Sequence, residues 1–162
     1  MLIAAAAVYG GVSYTALKRE QLNELEALCH MLRLMQDEFE TRALPLPELA
    51  AQLEERTESA GKALLSGLLR RLPVLGSQNF QSIWKESVTE SVKHSEEAAR
   101  LLCTLGSFLG RYDVDSQLEA IRSCRETLEK LRTTAAEALP QTRRLGMGLA
   151  LTSGALIVIT LI

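Results

Sequence analysis

Residues 105–117, with the sequence LGSFLGRYDVDSQ, combine the features of a helix end, a tight turn and the start of another helix. Gly106 and Gly110 are four positions apart, so on a helix they would share a face where a neighbouring helix can approach closely. Gly110 stands where a left-handed helix end forms most easily, and Asp113 or Asp115 can cap the free N–H groups that follow. The stretch therefore predicts a joint between two helices.

Apolar residues before the joint recur at steps of three and four, which is the spacing of one helix face. A first helix is predicted from residue 18 to about residue 43, and its opposite face is expected to be solvated. The apolar face carries Leu25, Leu28, Leu32, Met35 and Phe39, and the opposite face carries Glu24, Glu38, Glu40 and Arg42.

Prolines and caps separate the helices that follow. Pro45 and Pro47 stop the first helix, and Pro47 suits the first turn of a second one that runs to about Arg56. A third helix ends at Pro73 and Gly76, although the second and third could also be one kinked helix. Ser77 or Asn79 can cap a fourth helix with Phe80, Ile83, Trp84 and Val88 on its apolar face, where Trp84 is expected to be a core anchor.

Two more helices complete the pattern around the joint. Glu96 and Glu97 suit the positive N-terminal end of a fifth helix, whose packing residues are predicted to be Leu101, Leu102, Leu105, Phe108 and Leu109. A sixth helix with apolar spacing from Leu118 to Ala135 runs to Pro140, which is either a hinge or a simple restart of the helix. No segment alternates with the period of two that half-buried strands show, so we predict an all-α, compact bundle of five to six helices.

The two ends differ from the middle of the chain, because all 18 basic and 20 acidic residues lie between residues 18 and 144. Residues 1–17 and 145–162 are each expected to form a terminal transmembrane helix on either side of a bundle domain, residues 18–144. Buried helices of a water-soluble fold are the alternative for both ends. The basic pairs Lys18-Arg19 and Arg143-Arg144 favour a cytoplasmic position for the bundle. Lys18-Arg19 follows the first apolar run, whereas the basic residues of a signal peptide precede it, so we expect a retained anchor. Heptad-like spacing predicts that helices 1 and 6 pair lengthwise, which would bring the two spans out as a hairpin.

Few residues suggest chemistry. The chain has no phosphate-binding loop, no G-x-S-x-G or H-E-x-x-H motif and two widely separated histidines, so we predict no catalytic, cofactor or metal site. Cys29, Cys103 and Cys124 are expected to be small apolar core residues in a reducing compartment. Asp113 and Asp115 are better explained as helix caps than as an acid–base pair. A net charge of −2 with interleaved signs argues against nucleic-acid binding.

Protein binding is better supported than chemistry. The candidate partner contacts are charged helix positions that the core does not require, and each of them could also be an ordinary solvated face. They are Arg70, Arg71, Glu54, Glu55 and Arg56.

The order L-G-x-x-L-G-x-x-D-x-x-x-Q resembles the motif of the stage III sporulation protein AB family. Its six positions here are Leu105, Gly106, Leu109, Gly110, Asp113 and Gln117. Pro47-Glu48 within ALPLPEL resembles the helix start of that family, and Trp84 followed by Val88 resembles its single-tryptophan helix. The resemblance covers nearly the full length. Leu49, where alanine is expected, together with Pro140 and the Gly146–Gly148 spacing, departs from the family pattern.

The resemblance implies a fold similar to the helical cytoplasmic domain of the type II secretion platform protein F. It also implies a non-enzymatic platform, without cofactor, in the channel between mother cell and forespore. The protein would lie in the outer forespore membrane with its bundle in the mother-cell cytoplasm. Its partners would be a cytoplasmic secretion-type ATPase, similar to stage III sporulation protein AA, the other membrane proteins of the same operon and the lipid bilayer. A two-span signal transducer or scaffold unrelated to sporulation, and a membrane-anchored enzyme, are the alternatives.

Overall fold

The computed structural model describes the backbone of residues 2–42, 44–74, 76, 78–109 and 113–161, and side chains between residues 16 and 139. Six α-helices and one 3₁₀ turn follow each other in this part of the chain, with no β-strand, so the predicted all-α bundle is confirmed. The elements are α1 Leu2–Arg42, α2 Leu46–Arg56, α3 Ser59–Arg71, the 3₁₀ turn Leu72–Val74, α4 Phe80–Ser91, α5 Glu96–Leu105 and α6 Val114–Leu161.

The long helices α1 and α6 form an antiparallel pair, and the predicted lengthwise pairing of the first and last helices is confirmed. The Arg122 guanidinium donates to Glu40 Oε1 at 3.3 Å, and Arg125 Nε donates to Gln36 Oε1 at 3.0 Å. Residue numbers therefore rise along one helix as they fall along the other. Both helices continue beyond the pair at the same end, toward residue 2 and residue 161.

The second and third helices are separate elements rather than one kinked helix. The Thr57 hydroxyl donates to Leu53 O at 2.8 Å and Glu58 is extended, which ends α2. Ser59 then has a φ of +50°, a left-handed conformation that turns the chain back. α3 packs closely on α1 at Gly61, where an added Cβ would lie 3.1 Å from Ala27 O.

The fourth and fifth helices are joined through the indole of Trp84. This side chain is completely buried, as predicted for a core anchor, and its Nε1–H donates to Leu102 O at 2.6 Å. Asn79 caps α4 by accepting from Ser82 N at 2.8 Å, whereas Ser77 lies outside the described residues. α4 packs on α3 and α5, and α5 packs on α4 and α6, which closes the bundle.

Three predictions from the sequence need correction. α5 ends at Leu105 rather than continuing through residue 109, and Phe108 is therefore 38% exposed instead of packed. Glu24 is 5% exposed although its helix face was expected to be solvated. α6 passes through position 140 without interruption, so Pro140 marks neither a break nor a restart of the helix.

The side chains of both predicted membrane spans, residues 1–17 and 145–162, lie largely or wholly outside the described residues. Their backbones belong to α1 and α6. Across the described part of the chain, we find no helix that has both the length and the apolar character needed to cross a membrane.

Candidate functional site

The described residues of the joint between α5 and α6, which are 106–109 and 113, have buried and exposed sides. The carbonyl of Leu105 accepts from Phe108 N at 2.9 Å and from Leu109 N at 3.2 Å, which tightens the chain directly after α5. Leu105 and Leu109 are buried in the core, and Gly110 lies outside the described residues. The exposed side carries Phe108 and Val114, the latter at the first position of α6.

Polar residues of the joint fasten the start of α6. Gln117 N donates to Asp113 O at 3.3 Å, and the Ser116 hydroxyl donates to the Asp113 carboxylate. Asp115 is exposed. The Gln117 side chain is only 7% exposed, so a partner protein could reach little of it directly.

Gly106 is required for space and not for its backbone conformation. Its φ of −58° is an ordinary helical value that any residue can adopt. An added Cβ, however, would lie 2.8 Å from Trp84 Cγ and 2.9 Å from Trp84 Nε1. The sequence predicted that a neighbouring helix approaches closely at Gly106. In the structure the group that does so is the Trp84 side chain of α4.

Sequence reasoning missed the role of Glu24, a residue of α1. Its carboxylate accepts three successive backbone N–H groups of the α4–α5 loop, from Lys93 at 2.7 Å, His94 at 3.0 Å and Ser95 at 2.9 Å. The spacing held a signal, because Glu24 precedes Leu28 by four positions and Met31 by seven, and so lies on the buried face. This one side chain joins α1 to a loop that lies 69 to 71 positions further along the chain.

The candidate partner contacts fall into two groups at opposite ends of the α2–α3 hairpin. Arg56, beside the hairpin loop, pairs with Glu38 of α1 at 2.6 Å. Arg71, at the far end of α3, pairs with Glu90 at 2.8 Å and with Glu86 at 3.4 Å, both on α4. These side chains join helices within the bundle. The structure does not bring the two groups together, because α3 separates them by roughly 18 Å.

The remaining candidate contacts differ in how much of the side chain is exposed and free of strong bonds within the bundle. Glu54 accepts a hydrogen bond from the Ser66 hydroxyl of α3. Arg70 keeps 67% of its side chain exposed and makes a longer contact of 3.6 Å with Glu90. Glu55 is exposed on α2, as are Pro47 and Glu48 at the start of that helix. Arg70 and Glu55 are therefore the better candidates for an external contact.

Two surface carboxylates have perturbed pKa values for structural reasons. The hydrogen bond from Gln36, followed by that from Arg122, lowers the pKa of Glu40 in the α1–α6 pair. The hydrogen bond from Arg71 similarly lowers the pKa of Glu90 between α3 and α4. Glu40 is bonded from its own helix by Gln36 and from α6 by Arg122, whereas Glu90 on α4 is bonded by Arg71 of α3.

The described residues offer little for catalysis. They contain no group of three or more His, Cys, Asp or Glu side chains that could hold a metal ion. Burial raises the pKa of Cys29 to about 11 and that of Cys124 to about 12, so both thiols stay protonated at neutral pH. Such thiols are poor nucleophiles, and these cysteines serve as apolar core residues.

Comparisons with known proteins agree on one relationship. The family model described as stage III sporulation protein AB matches residues 1–162. A solved structure named stage III sporulation protein AB superimposes with a TM-score of 0.65 at 21% sequence identity, covering 75% of this chain and 97% of that one. At this identity the likeness shows a shared fold. No curated protein sequence matches the chain significantly.

Proposed function

The chain belongs to the stage III sporulation protein AB family, and from this premise we propose that it is a membrane platform of the sporulation channel. In this proposal it carries conformational changes between a cytoplasmic secretion-type ATPase, similar to stage III sporulation protein AA, and the other membrane proteins of its operon. The ATPase supplies the chemistry, and this chain supplies a rigid connection.

The antiparallel α1–α6 pair is the observation that carries the proposal. Both helices leave the bundle at one end and continue into the charge-free stretches at the chain ends. The joint at residues 105–117 lies at the other end of the pair and includes the start of α6. A movement applied to the bundle would therefore reach the membrane along two helices that are packed together.

Membrane insertion is part of the proposal and is supported by the sequence. Residues 1–17 and 145–162 contain no charged side chain, and the basic pairs Lys18-Arg19 and Arg143-Arg144 flank them on the inner side. Basic flanks favour the cytoplasmic side of a membrane. We place the bundle in the mother-cell cytoplasm and the two spans in the outer forespore membrane.

The ATPase contact is assigned to exposed charge on the α2–α3 hairpin. Arg70 is the first candidate because its guanidinium is largely exposed and its partner Glu90 is already paired with Arg71. An exposed arginine can form bidentate bonds to a carboxylate of a partner protein. Glu55 is the second candidate, on the neighbouring helix.

A binding titration tests the proposal with the full chain reconstituted in lipid nanodiscs and a purified ATPase of the stage III sporulation protein AA type. We expect saturable binding that Arg70→Glu weakens by roughly tenfold or more, because charge reversal removes an attraction and adds a repulsion. Arg100→Glu is the matched control, since its side chain is 68% exposed on α5 and should change affinity by less than about twofold. A folded, reconstituted chain that does not bind the ATPase would refute the platform function.

A further inference from the structure

Glu24 is a buried anion whose binding groups come from a distant loop. Its side chain is 5% exposed, and its two oxygens accept from the N–H groups of residues 93, 94 and 95. A buried carboxylate is stable only when hydrogen bonds replace its lost hydration, and here three backbone donors do so. These donors directly precede α5, whose positive N-terminal end adds to the attraction.

We propose that Glu24 and the amides of residues 93–95 form a latch that holds the α4–α5 hairpin on α1 and can open without unfolding the bundle. The inference concerns the chain itself and does not depend on ATPase binding. The latch couples the position of α1 to that of α5.

The packing of the helices explains why the latch controls this hairpin. α4 packs mainly on α3 and α5, and α5 packs mainly on α4 and α6. The Glu24 carboxylate therefore supplies a direct bond from α1 to a hairpin that is otherwise held by its other neighbours. When α1 moves relative to the loop, three short hydrogen bonds lengthen together.

The hairpin also connects the latch to the joint at residues 105–117. The Leu102 carbonyl on α5 accepts from Trp84 and from Gly106 N, at 2.6 Å and 3.1 Å. Residue 105 then begins the turn toward α6. A hairpin released from α1 would carry the Trp84–Gly106 contact with it and so displace the start of the joint.

A second, weaker contact lies beside the latch. His94 Nδ1 is 3.7 Å from Glu20 Oε2, and the Glu20 side chain is 56% exposed. An exposed pair at this distance contributes little to stability. The latch therefore predicts that substitution of Glu24 affects the hairpin much more than substitution of Glu20, one helical turn away on α1.

Hydrogen exchange of the full chain in detergent micelles, followed by mass spectrometry, tests the latch. In Glu24→Gln the amide group has one acceptor oxygen and its NH₂ opposes the loop donors. We expect exchange in residues 93–105 to accelerate roughly tenfold or more, while residues 25–35 of α1 and 121–131 of α6 change by less than about twofold. Glu20→Gln, the matched control, should leave all three segments unchanged.

Two results would overturn the latch. Equal acceleration of all three segments in Glu24→Gln would show that Glu24 supports the whole core, and no acceleration in residues 93–105 would show that the hydrogen bonds do not hold the hairpin. If Glu24→Gln does not fold, hydrogen exchange of the chain without this substitution, measured in low urea, tests the latch instead. The latch predicts that residues 93–105 open separately from α1 and α6, and one common opening would refute it.

Discussion

Gly106 lies so close to the Trp84 indole that a side chain does not fit between them. Gly106→Ala would place a methyl carbon within 2.9 Å of three indole atoms, and the indole is fixed by its hydrogen bond to Leu102 O. Overpacking of this kind costs about 1–3 kcal/mol. We expect a loss near the upper limit, measured as the free energy of unfolding in urea, with a change in the fluorescence of Trp84, the one tryptophan of the chain.

Gly67→Ala is the matched control for this substitution. An added Cβ at Gly67 would lie 3.6 Å from Ser87 Cβ, an ordinary contact, and alanine favours the interior of α3. We expect the free energy of unfolding to stay the same or to rise by up to about 1 kcal/mol. If both variants lost the same free energy of unfolding, a steric clash with Trp84 would not explain the loss in Gly106→Ala.

The buried thiols of Cys29 and Cys124 predict a loss of stability in base. Burial raises their pKa values from 9.0 to about 11 and about 12, so the unfolded chain releases these protons first as the pH rises. The folded state then binds more protons than the unfolded state. Between pH 9 and 11 each thiol should lower the free energy of unfolding by about 1.4 kcal/mol per pH unit.

Urea unfolding at several pH values from 8 to 10.5 measures this effect. The double variant Cys29→Ala, Cys124→Ala should be less stable at pH 8 because of the lost packing, but its stability should fall less steeply above pH 9. Parallel curves for the two proteins would show that the thiols do not titrate as their burial requires.

At the scale of elements, Ser59 begins α3 in a strained, left-handed backbone conformation. Its φ of +50° costs a non-glycine residue about 1–2 kcal/mol, whereas glycine adopts it freely. We therefore expect Ser59→Gly to raise the free energy of unfolding by about 1 kcal/mol, measured in urea. Ser59→Ala keeps the backbone strain, so its free energy of unfolding should not rise. A rise in that variant would show that relief of strain is not the cause of the gain in Ser59→Gly.

Periodicity predicted most elements because their apolar residues face one continuous core. The spacing from Leu25 to Phe39 marks the buried face of α1, and Asn79 was one of two predicted caps for α4. The end of α5 was missed, because spacing of three and four persists through Phe108 although the backbone has already turned at Leu105. Apolar spacing marks the buried face of a helix but does not fix the residue at which the helix ends.

At the scale of the molecule, the sequence could indicate the important residues but not their partners. Trp84 and Gly106 were both singled out, yet their mutual packing depends on how α4 and α5 cross. In the sequence Glu24 looked like any other acidic residue of α1, because the backbone N–H groups that bind its carboxylate lie 69 to 71 positions away. The charged candidates on α2 and α3 stay predictions, and the structure adds that Arg56 and Arg71 join helices through Glu38 and Glu90.

The antiparallel α1–α6 pair leads to a prediction about the topology of the whole chain. Both helices continue beyond the bundle at the same end, and the charge-free runs at residues 1–17 and 145–162 span roughly 25 Å each as helices. With basic pairs on the bundle side of both runs, we expect both chain ends on one face of a membrane and the bundle on the cytoplasmic face.

Cysteine labelling in spheroplasts of a bacterial host tests this topology. Cys29, Cys103 and Cys124 are first replaced by alanine, and single cysteines are then introduced as Leu2→Cys, Thr160→Cys or Ser123→Cys, the last on the exposed face of α6. A membrane-impermeant maleimide should label the two terminal positions in intact spheroplasts and position 123 only after lysis. Labelling of position 123 in intact spheroplasts would reverse the topology. Recovery of the chain without membranes would refute insertion, because two charge-free helices in a bilayer do not dissociate from it on lysis.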